Sequence, residues 1–329
     1  MVPIYSAFIA PATYSHSTAF IDNKIFFFGG VYTPKSVYYL DVGKSFDTES
    51  PPWTDLTNIS PIPYGSAWAT AFTGIDPYPL VYLFGGTTFD PITNRDIFSQ
   101  MTYEFDPKSR TWNQAFLEGI EPSRRKQMHS TQDDYGYIYI FGGMTDASTG
   151  SNVTKYFNDM VVMHTISLYY TTNSIANAPL QRFDYSVVIS PDGLIIYIGG
   201  KEYTGLTVQT VVLNNISTYN THNDTWSAVA ASSESTFENR FGHSSVIRNI
   251  TNPTGRSLST SSDLYILNVK TYTWTTSYIF SNISTSSSTV STPTDQSSVT
   301  SINQSTTTSD NKQPVMPLLV LIGLIIGPT

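Results

Sequence analysis

Histidine is the first residue type in this chain whose placement suggests chemistry. Three of the five histidines, His16, His129 and His243, each stand directly before a serine, at what reads as one repeated position. Ligands repeated on separate units can converge on a common point, as a metal requires, but each also needs a supporting partner. Tyr185-Ser186 fills the same place in another unit. The position therefore reads as structural, and no metal or cofactor is assigned. His164 and His222 stand alone. The chain has no cysteine, which removes thiolate ligands, cysteine nucleophiles and disulfides together. Its acids occur singly in turn-like contexts such as Asp133-Asp134-Tyr135-Gly136 and Asp192-Gly193. Those are hairpin signals before they are the paired carboxylates of glycoside hydrolysis. No G-x-S-x-G elbow or phosphate-binding glycine loop is present. Arg124, Arg125, Arg182 and Arg240 recur at the start of repeated units, where a guanidinium can hold loop carbonyls. No residue is assigned a catalytic, cofactor-binding or metal-binding role.

The elements that position these residues follow from composition and spacing. Across 329 residues, 40% are hydrophobic and 14% aromatic, enough for a core. Only 13% are charged, about half the share usual in soluble domains. A net charge of −8 lacks the basic footprint that phosphate backbones demand, which excludes nucleic acid as the expected partner.

Four glycine pairs set the period: Gly29-Gly30, Gly85-Gly86, Gly142-Gly143 and Gly199-Gly200, spaced 56, 57 and 57 residues apart. Each ends a short apolar run, Ile25-Phe26-Phe27-Phe28, Val81-Tyr82-Leu83-Phe84, Ile138-Tyr139-Ile140-Phe141 or Ile195-Ile196-Tyr197-Ile198. Such runs predict buried strands closed by a sharp turn. Trp112 and Trp226 fall 27 residues after the first glycine of their pairs, Tyr169 takes that offset in the third unit, and Trp53 comes after 24. Between glycine and tryptophan lies an alternating segment such as Val37-Tyr38-Tyr39-Leu40-Asp41, which suits a half-exposed strand. Each unit thus predicts four short strands, and no sustained helical period intervenes. Repeated four-stranded sheets make a radial propeller.

These residues resemble the kelch repeat: an apolar strand, a diglycine, a tyrosine-containing strand ending near an acid, then a spaced tryptophan. The resemblance runs from about Tyr14 to Trp274 and implies an all-β kelch-type β-propeller with about five recognisable four-stranded blades. The fifth is degenerate. Arg240-Phe241-Gly242-His243-Ser244 opens it and Asp263-Leu264-Tyr265-Ile266-Leu267-Asn268 with Trp274 closes it, but Ile250-Thr251-Asn252-Pro253-Thr254-Gly255-Arg256 stands where the apolar strand and diglycine belong. Kelch rings generally have six or seven blades. The expectation is therefore a partial or irregular propeller, with material missing at the N-terminus or in blade five; the alternatives are a six-bladed ring and a last blade to which residues 4–10 add one strand. The fold also includes galactose oxidase, whose copper cofactor depends on a cysteine cross-linked to tyrosine. Without cysteine that chemistry does not transfer. Nor does the Asp box of sialidase propellers, because Asn223-Asp224-Thr225-Trp226 lacks its glycine spacing.

Three segments are expected: a propeller over 1–280, a Ser/Thr-rich stalk over 281–314, and an apolar segment over 315–329. Residues 281–309 hold 19 Ser or Thr, too polar to bury a core and expected to be disordered. Residues 315–327 carry no charge and read as a membrane helix cut short, since a full span takes about 20 residues. A GPI signal and a loose apolar tail are the other readings. Sequons occur at Asn58, Asn152, Asn215, Asn223, Asn249, Asn282 and Asn303, with Pro61 close after the first. Together these features place the propeller outside the cell, tethered to a membrane; a cytoplasmic adaptor is the alternative.

The remaining function is recognition. The connections 87–100 and 144–158 differ between otherwise regular blades and are the expected contact surface. From the resemblance, the chain is a non-catalytic protein-interaction module; the alternative is a carbohydrate-active or oxidative enzyme with its site in the central pocket.

Overall fold

The computed structural model describes residues 8–47, 49–75, 79–99, 101–233, 237–249, 265–275 and 318–323. Apart from one 3-10 turn at Ala147–Thr149, every regular element among them is a strand. Five sheets succeed one another along the chain, antiparallel except for a two-residue parallel edge strand beside the fourth strand of blade three (Glu118–Gly119) and of blade five (Ser232–Ser233). Blade one takes Ser17–Ile21, Lys24–Phe28, Val37–Asp41 and Trp53–Asp55, paired in chain order. Blade two takes Thr70–Thr73, Val81–Phe84, Thr102–Asp106 and Thr111–Gln114, and blade three Ser130–Gln132, Tyr137–Phe141, Met160–His164 and Tyr169–Asn173. Blade four is Ser186–Ile189, Leu194–Ile198, Asn215–Asn220 and Thr225–Ala230.

Blade five contains Ser244–Asn249, Tyr265–Asn268 and Thr273–Thr275, with Leu318–Gly323 inserted between the first two. The sequence leads one to expect a membrane helix over that last stretch; its backbone is instead a sheet strand. Among the described residues no helix is long and apolar enough to cross a membrane. The degenerate run 250–256 and the stalk 281–314 lie outside the described residues. Of the candidate strand 4–10, residues 8–10 are described and belong to no sheet.

Alternation along each second strand explains why these strands are apolar throughout. Val81 and Leu83 pack with Phe28 and Val37 of blade one, whereas Tyr82 and Phe84 pack with Ile138 and Ile140 of blade three. Tyr139 and Phe141 turn to Ile195 and Tyr197 of blade four, whose Ile196 and Ile198 turn to Leu267 and Trp274 of blade five. Successive side chains of a strand face opposite ways, so a sheet sandwiched between two sheets needs apolar residues on both faces. The core is therefore a series of inter-blade layers.

The diglycines are joints between blades. The first glycine of each pair has φ between 57° and 70°. A Cβ on Gly142 would lie 2.3 Å from the Arg182 carbonyl oxygen, the same oxygen that accepts the Gly143 N–H at 2.8 Å. Gly30 donates likewise to Ser66, Gly86 to Arg125 and Gly200 to Arg240. Only glycine combines the left-handed backbone with that approach.

The fourth-strand tryptophans reach the other way. Trp112 Nε1 donates to Ser60 O and Trp226 Nε1 to Ser174 O, both at 3.1 Å and both in the preceding blade; Trp274 Nε1 donates to Leu213 O at 3.2 Å. Trp112 and Trp226 also pack on Phe28 and Phe141, the last second-strand residues of the blades before them. In blade three this place belongs to Tyr170, which is buried, packs on Phe84 and pairs its hydroxyl with Thr102 Oγ1 at 2.8 Å. Tyr169, expected there from its offset, is exposed. Trp53 of blade one packs within its own sheet, on Phe27 and Tyr38.

Candidate binding face around the propeller axis

First strands begin, and second strands end, on one face of the disc. Just ahead of each first strand stands one residue with left-handed backbone: Ser15, Trp68, Gln127, Asp184 and Gly242, with φ from 53° to 63°. The last four each donate the backbone N–H to the carbonyl of the counterpart in the preceding blade: Trp68 to Ser15 at 2.8 Å, Gln127 to Trp68 at 3.2 Å, Asp184 to Gln127 and Gly242 to Asp184 at 2.8 Å. Four hydrogen bonds thus link five blades around the axis. Because the backbone makes the link, these residues need share no side-chain type. Sequence reading missed them for that reason.

The next positions staple neighbouring first strands. Ser17 Oγ donates to Ala69 O at 2.9 Å, and Thr70 and Ser130 hydroxyls meet at 2.7 Å. The one proton of the buried Tyr185 hydroxyl faces two carbonyls, Phe141 O at 2.6 Å and His129 O at 2.9 Å, and Ser186 Oγ exchanges a hydrogen bond with His243 Nε2 at 2.8 Å. One expectation is corrected here. His16, Ala69, Met128, Tyr185 and His243 share the position after the left-handed residue, whereas His129 falls one residue further on. It lies opposite Phe141, as Ser17 lies opposite Phe28.

A cavity of about 510 Å³ opens along the axis on this face. Tyr14, Trp68, Gln127, Asp184, Lys201 and Phe241 form its rim, and His16, His129 and His243 also line it. Burial pushes His129 and His243 down to about 4 and lowers His16, so all three imidazoles are neutral at pH 7. His129 is open to the cavity but ringed by protein, and His243 is buried with its Nδ1 unpartnered. Asp184 Oδ2 accepts from Gln127 Nε2 at 3.1 Å and Lys201 Nζ at 3.3 Å; burial is the main influence on its carboxyl and raises it despite the lysine. The Lys201 ammonium sits 3.6 Å from the Phe241 ring centroid. Among the described residues no three His, Asp or Glu side chains converge closely enough to hold a metal ion.

Around the cavity stand the connections that follow the diglycines. In blade two Thr87–Asp90 pairs with Gly65–Ala67 and with Arg95–Asp96. Met144–Thr145 pairs with Lys155–Tyr156 in blade three, and Lys201–Tyr203 with Gln181–Phe183 and Val208–Thr210 in blade four. The expected contact surface 87–100 and 144–158 is thus folded into hairpins, residue 100 lying outside the described residues, and blade four adds a third. Phe98 packs over Gly150, joining the hairpins of blades two and three.

The opposite face carries tight turns. Asp22-Asn23 is a two-residue hairpin turn with both residues left-handed, and Asp134-Tyr135-Gly136 and Pro191-Asp192-Gly193 are three-residue loops. A second cavity, about 550 Å³, opens there between blades three and four.

The arginines hold the scaffold. Arg125 is buried, with Nη1 donating to Gly142 O at 3.0 Å, Nε to Ser123 O at 3.1 Å, and a two-pronged pair to Asp159 at 2.6 and 3.0 Å. Arg182 is equally buried, with Glu202 at 3.7 Å, and Arg124 Nη2 donates to Thr88 Oγ1 at 2.7 Å. Arg240 contributes the carbonyl on which Gly200 docks. Of the sequons, Asn58, Asn152, Asn215 and Asn223 are exposed, and Asn249 ends the first strand of blade five. Asn282 and Asn303 lie outside the described residues.

A radial all-β disc whose diglycines and tryptophans join successive blades is a kelch-type β-propeller. Residues 15–252 and 70–306 match the KLHDC2/KLHL20/DRC7 Kelch-repeats domain, and the chain belongs to that family. It is 25% identical to Kelch domain-containing protein 3 of Homo sapiens over 204 residues, covering 60% of this chain and 50% of that protein. The Bos taurus protein is 27% identical over 137 residues, 40% of this chain and 32% of the relative. The chain thus spans half or less of the length of these curated relatives. The solved structure of YjhT superposes with a TM-score of 0.53 at 15% identity, covering 72% of each chain, which speaks for the fold alone. Kelch-repeat domains generally act as protein-interaction modules.

Proposed function

We propose that this chain is a non-catalytic recognition module whose protein partner docks on the cavity face. One observation carries the reading: that face alone combines an axial cavity with structured hairpins from three blades. Exposed apolar side chains crown it, Tyr32, Ile92, Phe98, Val153, Leu206 and Phe241 among them. Loops held by a rigid scaffold are where specificity resides, and aromatic side chains beside a concavity are the usual anchors of an interface. A photo-crosslinking residue placed at Phe98 in the native host should capture a partner, and one at Ile166, on the opposite face, should not. Trp68→Ala should abolish the Phe98 product. Equal capture from both faces would refute the assignment.

An enzymatic second reading draws on the perturbed Asp184 carboxyl and the neutral imidazoles converging from several blades. Against hydrolysis of glycosides, Asp184 is the one carboxylate in the lining among the described residues and is already held by Lys201 and Gln127. Turnover of a glycoside or alcohol panel that disappears in Asp184→Asn would favour the enzyme.

Placement outside the cell is part of the proposal and rests on the exposed sequons. A glycosidase-sensitive shift in mobility lost with Asn152→Gln and Asn223→Gln supports it; unmodified protein from the native host supports the intracellular adaptor. Membrane attachment through 315–329 draws on the uncharged run. It competes for the backbone that Leu318–Gly323 gives to the fifth sheet.

A further inference from the structure

We propose that residues 318–323 are the second strand of blade five, delivered from the far side of the Ser/Thr-rich stretch into a slot that the blade's own sequence leaves without an apolar strand. Two independent observations converge on it. The first is chemical. In blades two to four the second strand is apolar and buried on both faces, whereas Ile250-Thr251-Asn252-Pro253-Thr254-Gly255-Arg256 offers no such run, and Pro253 would remove a ladder donor. Leu318-Leu319-Val320-Leu321-Ile322-Gly323 has the composition that is lacking.

The second is register. Leu318–Gly323 is antiparallel to both neighbours, from Ser244↔Gly323 to Asn249↔Leu318 on one side and from Tyr265↔Ile322 to Asn268↔Leu319 on the other. In blades one and four the serine that opens the first strand lies opposite the last second-strand residue, Ser17↔Phe28 and Ser186↔Ile198. Ser244↔Gly323 repeats that frame. The inserted strand therefore runs in the direction of a native second strand and ends on the cavity face. A strand from elsewhere in sequence supplying backbone hydrogen bonds to a sheet that lacks one is strand addition.

Delivery within one chain is sterically easy. The step from Thr275 across to the slot is about two strand spacings, or 10 Å, which a few extended residues cover, and residues 276–317 are available for it. The consequence reaches the candidate face. Gly242 and His243 line the cavity and lead directly into Ser244–Asn249, whose ladder partner is the donated strand. The C-terminal segment thus supports the blade-five wall of the binding cavity.

The absence of native cysteine makes the test clean. Ile247 and Val320 are ladder partners, as are Val188 and Ile196 in blade four, and facing strand positions are close enough for a disulfide. The full-length chain carrying Ile247→Cys and Val320→Cys should form an intramolecular disulfide on oxidation, as completely as the Val188→Cys, Ile196→Cys control. Ending the chain after Ser309 should abolish hydrogen-exchange protection at Ser244–Asn249 and Tyr265–Asn268 while leaving Tyr137–Phe141 protected. Three results would overturn the proposal: no cross-link where the control pair closes, unchanged protection after truncation, or insertion of 315–327 into phosphatidylcholine vesicles without the cross-link.

Discussion

Replacing Arg125 should weaken the joint between blades two and three, by an amount the structure bounds. Its guanidinium is 1% exposed and spends its donors on Gly142 O, Ser123 O and both Asp159 oxygens, while its plane lies 4.0 Å from the Phe157 ring centroid. Removing one partner of a buried ion pair costs roughly 3–5 kcal/mol because the other is left uncompensated. Asp159 is 36% exposed and can recover water, which places Arg125→Met near the lower limit, about 3 kcal/mol. Lysine keeps the charge but not the planar fork, so Arg125→Lys should lose about half as much. Urea unfolding followed by tryptophan emission measures both, since Trp112 and Trp226 sit in inter-blade layers. A loss below about 0.5 kcal/mol for Arg125→Met, the range of ordinary surface substitutions, would refute the reading of this arginine as a structural clamp.

Two further perturbations test the scaffold and the cavity. Gly142→Ala drives a Cβ to 2.3 Å from the Arg182 carbonyl at φ 65° and should cost several times the roughly 1 kcal/mol expected for Gly205→Ala, where φ is 91° and nothing lies within 4 Å; thermal unfolding of the two variants checks the ratio. His243, buried and held near 4 against 6.5 when unfolded, makes the unfolded state bind the extra proton between those values, so stability is full above pH 6.5 and falls as pH drops toward 4, by about 3 kcal/mol for this residue. Urea midpoints taken across that interval should decline toward acid in the native chain and decline less in His243→Gln; equal slopes would refute the assignment.

How far the sequence could be read depended on whether side chains or backbone perform the joining. Diglycines and tryptophans are legible because each makes a contact that other residues make poorly. The axial links are not, since Ser15, Trp68, Gln127, Asp184 and Gly242 share a backbone geometry and nothing else. Counting from the diglycines misplaces two residues for one physical reason, the insertion of single residues in connections. Blade one turns between its first strands through Asp22-Asn23 whereas blade three uses three residues, so His129 acquires the offset of His16 without its position. A connection one residue longer between Gly142 and Met160 than between Gly85 and Thr102 likewise gives Tyr169 the offset that belongs to Tyr170. The apolar C-terminal run has a different ambiguity. A strand buried on both faces and the beginning of a membrane helix are both uncharged and aliphatic, and periodicity cannot separate them over so short a stretch.

The diglycine and tryptophan joints are not used alike in every blade. A diglycine serves the blade that follows it and a fourth-strand tryptophan the blade that precedes it. Trp53 of blade one, three residues out of step with Trp112 and Trp226, packs inside its own sheet. The fifth repeat lacks the diglycine, with Ile250-Thr251-Asn252-Pro253-Thr254-Gly255-Arg256 in its place, while Trp274 still reaches back to Leu213 of blade four. Tyr14 to His16 of blade one and Phe241 to His243 of blade five line the same cavity, yet among the described residues neither joint connects these two blades. Among the described residues, the side of the cavity where these two blades face each other carries neither of the joints that fix the other walls. A ligand that spans Tyr14 and Phe241 would engage both of these blades at once.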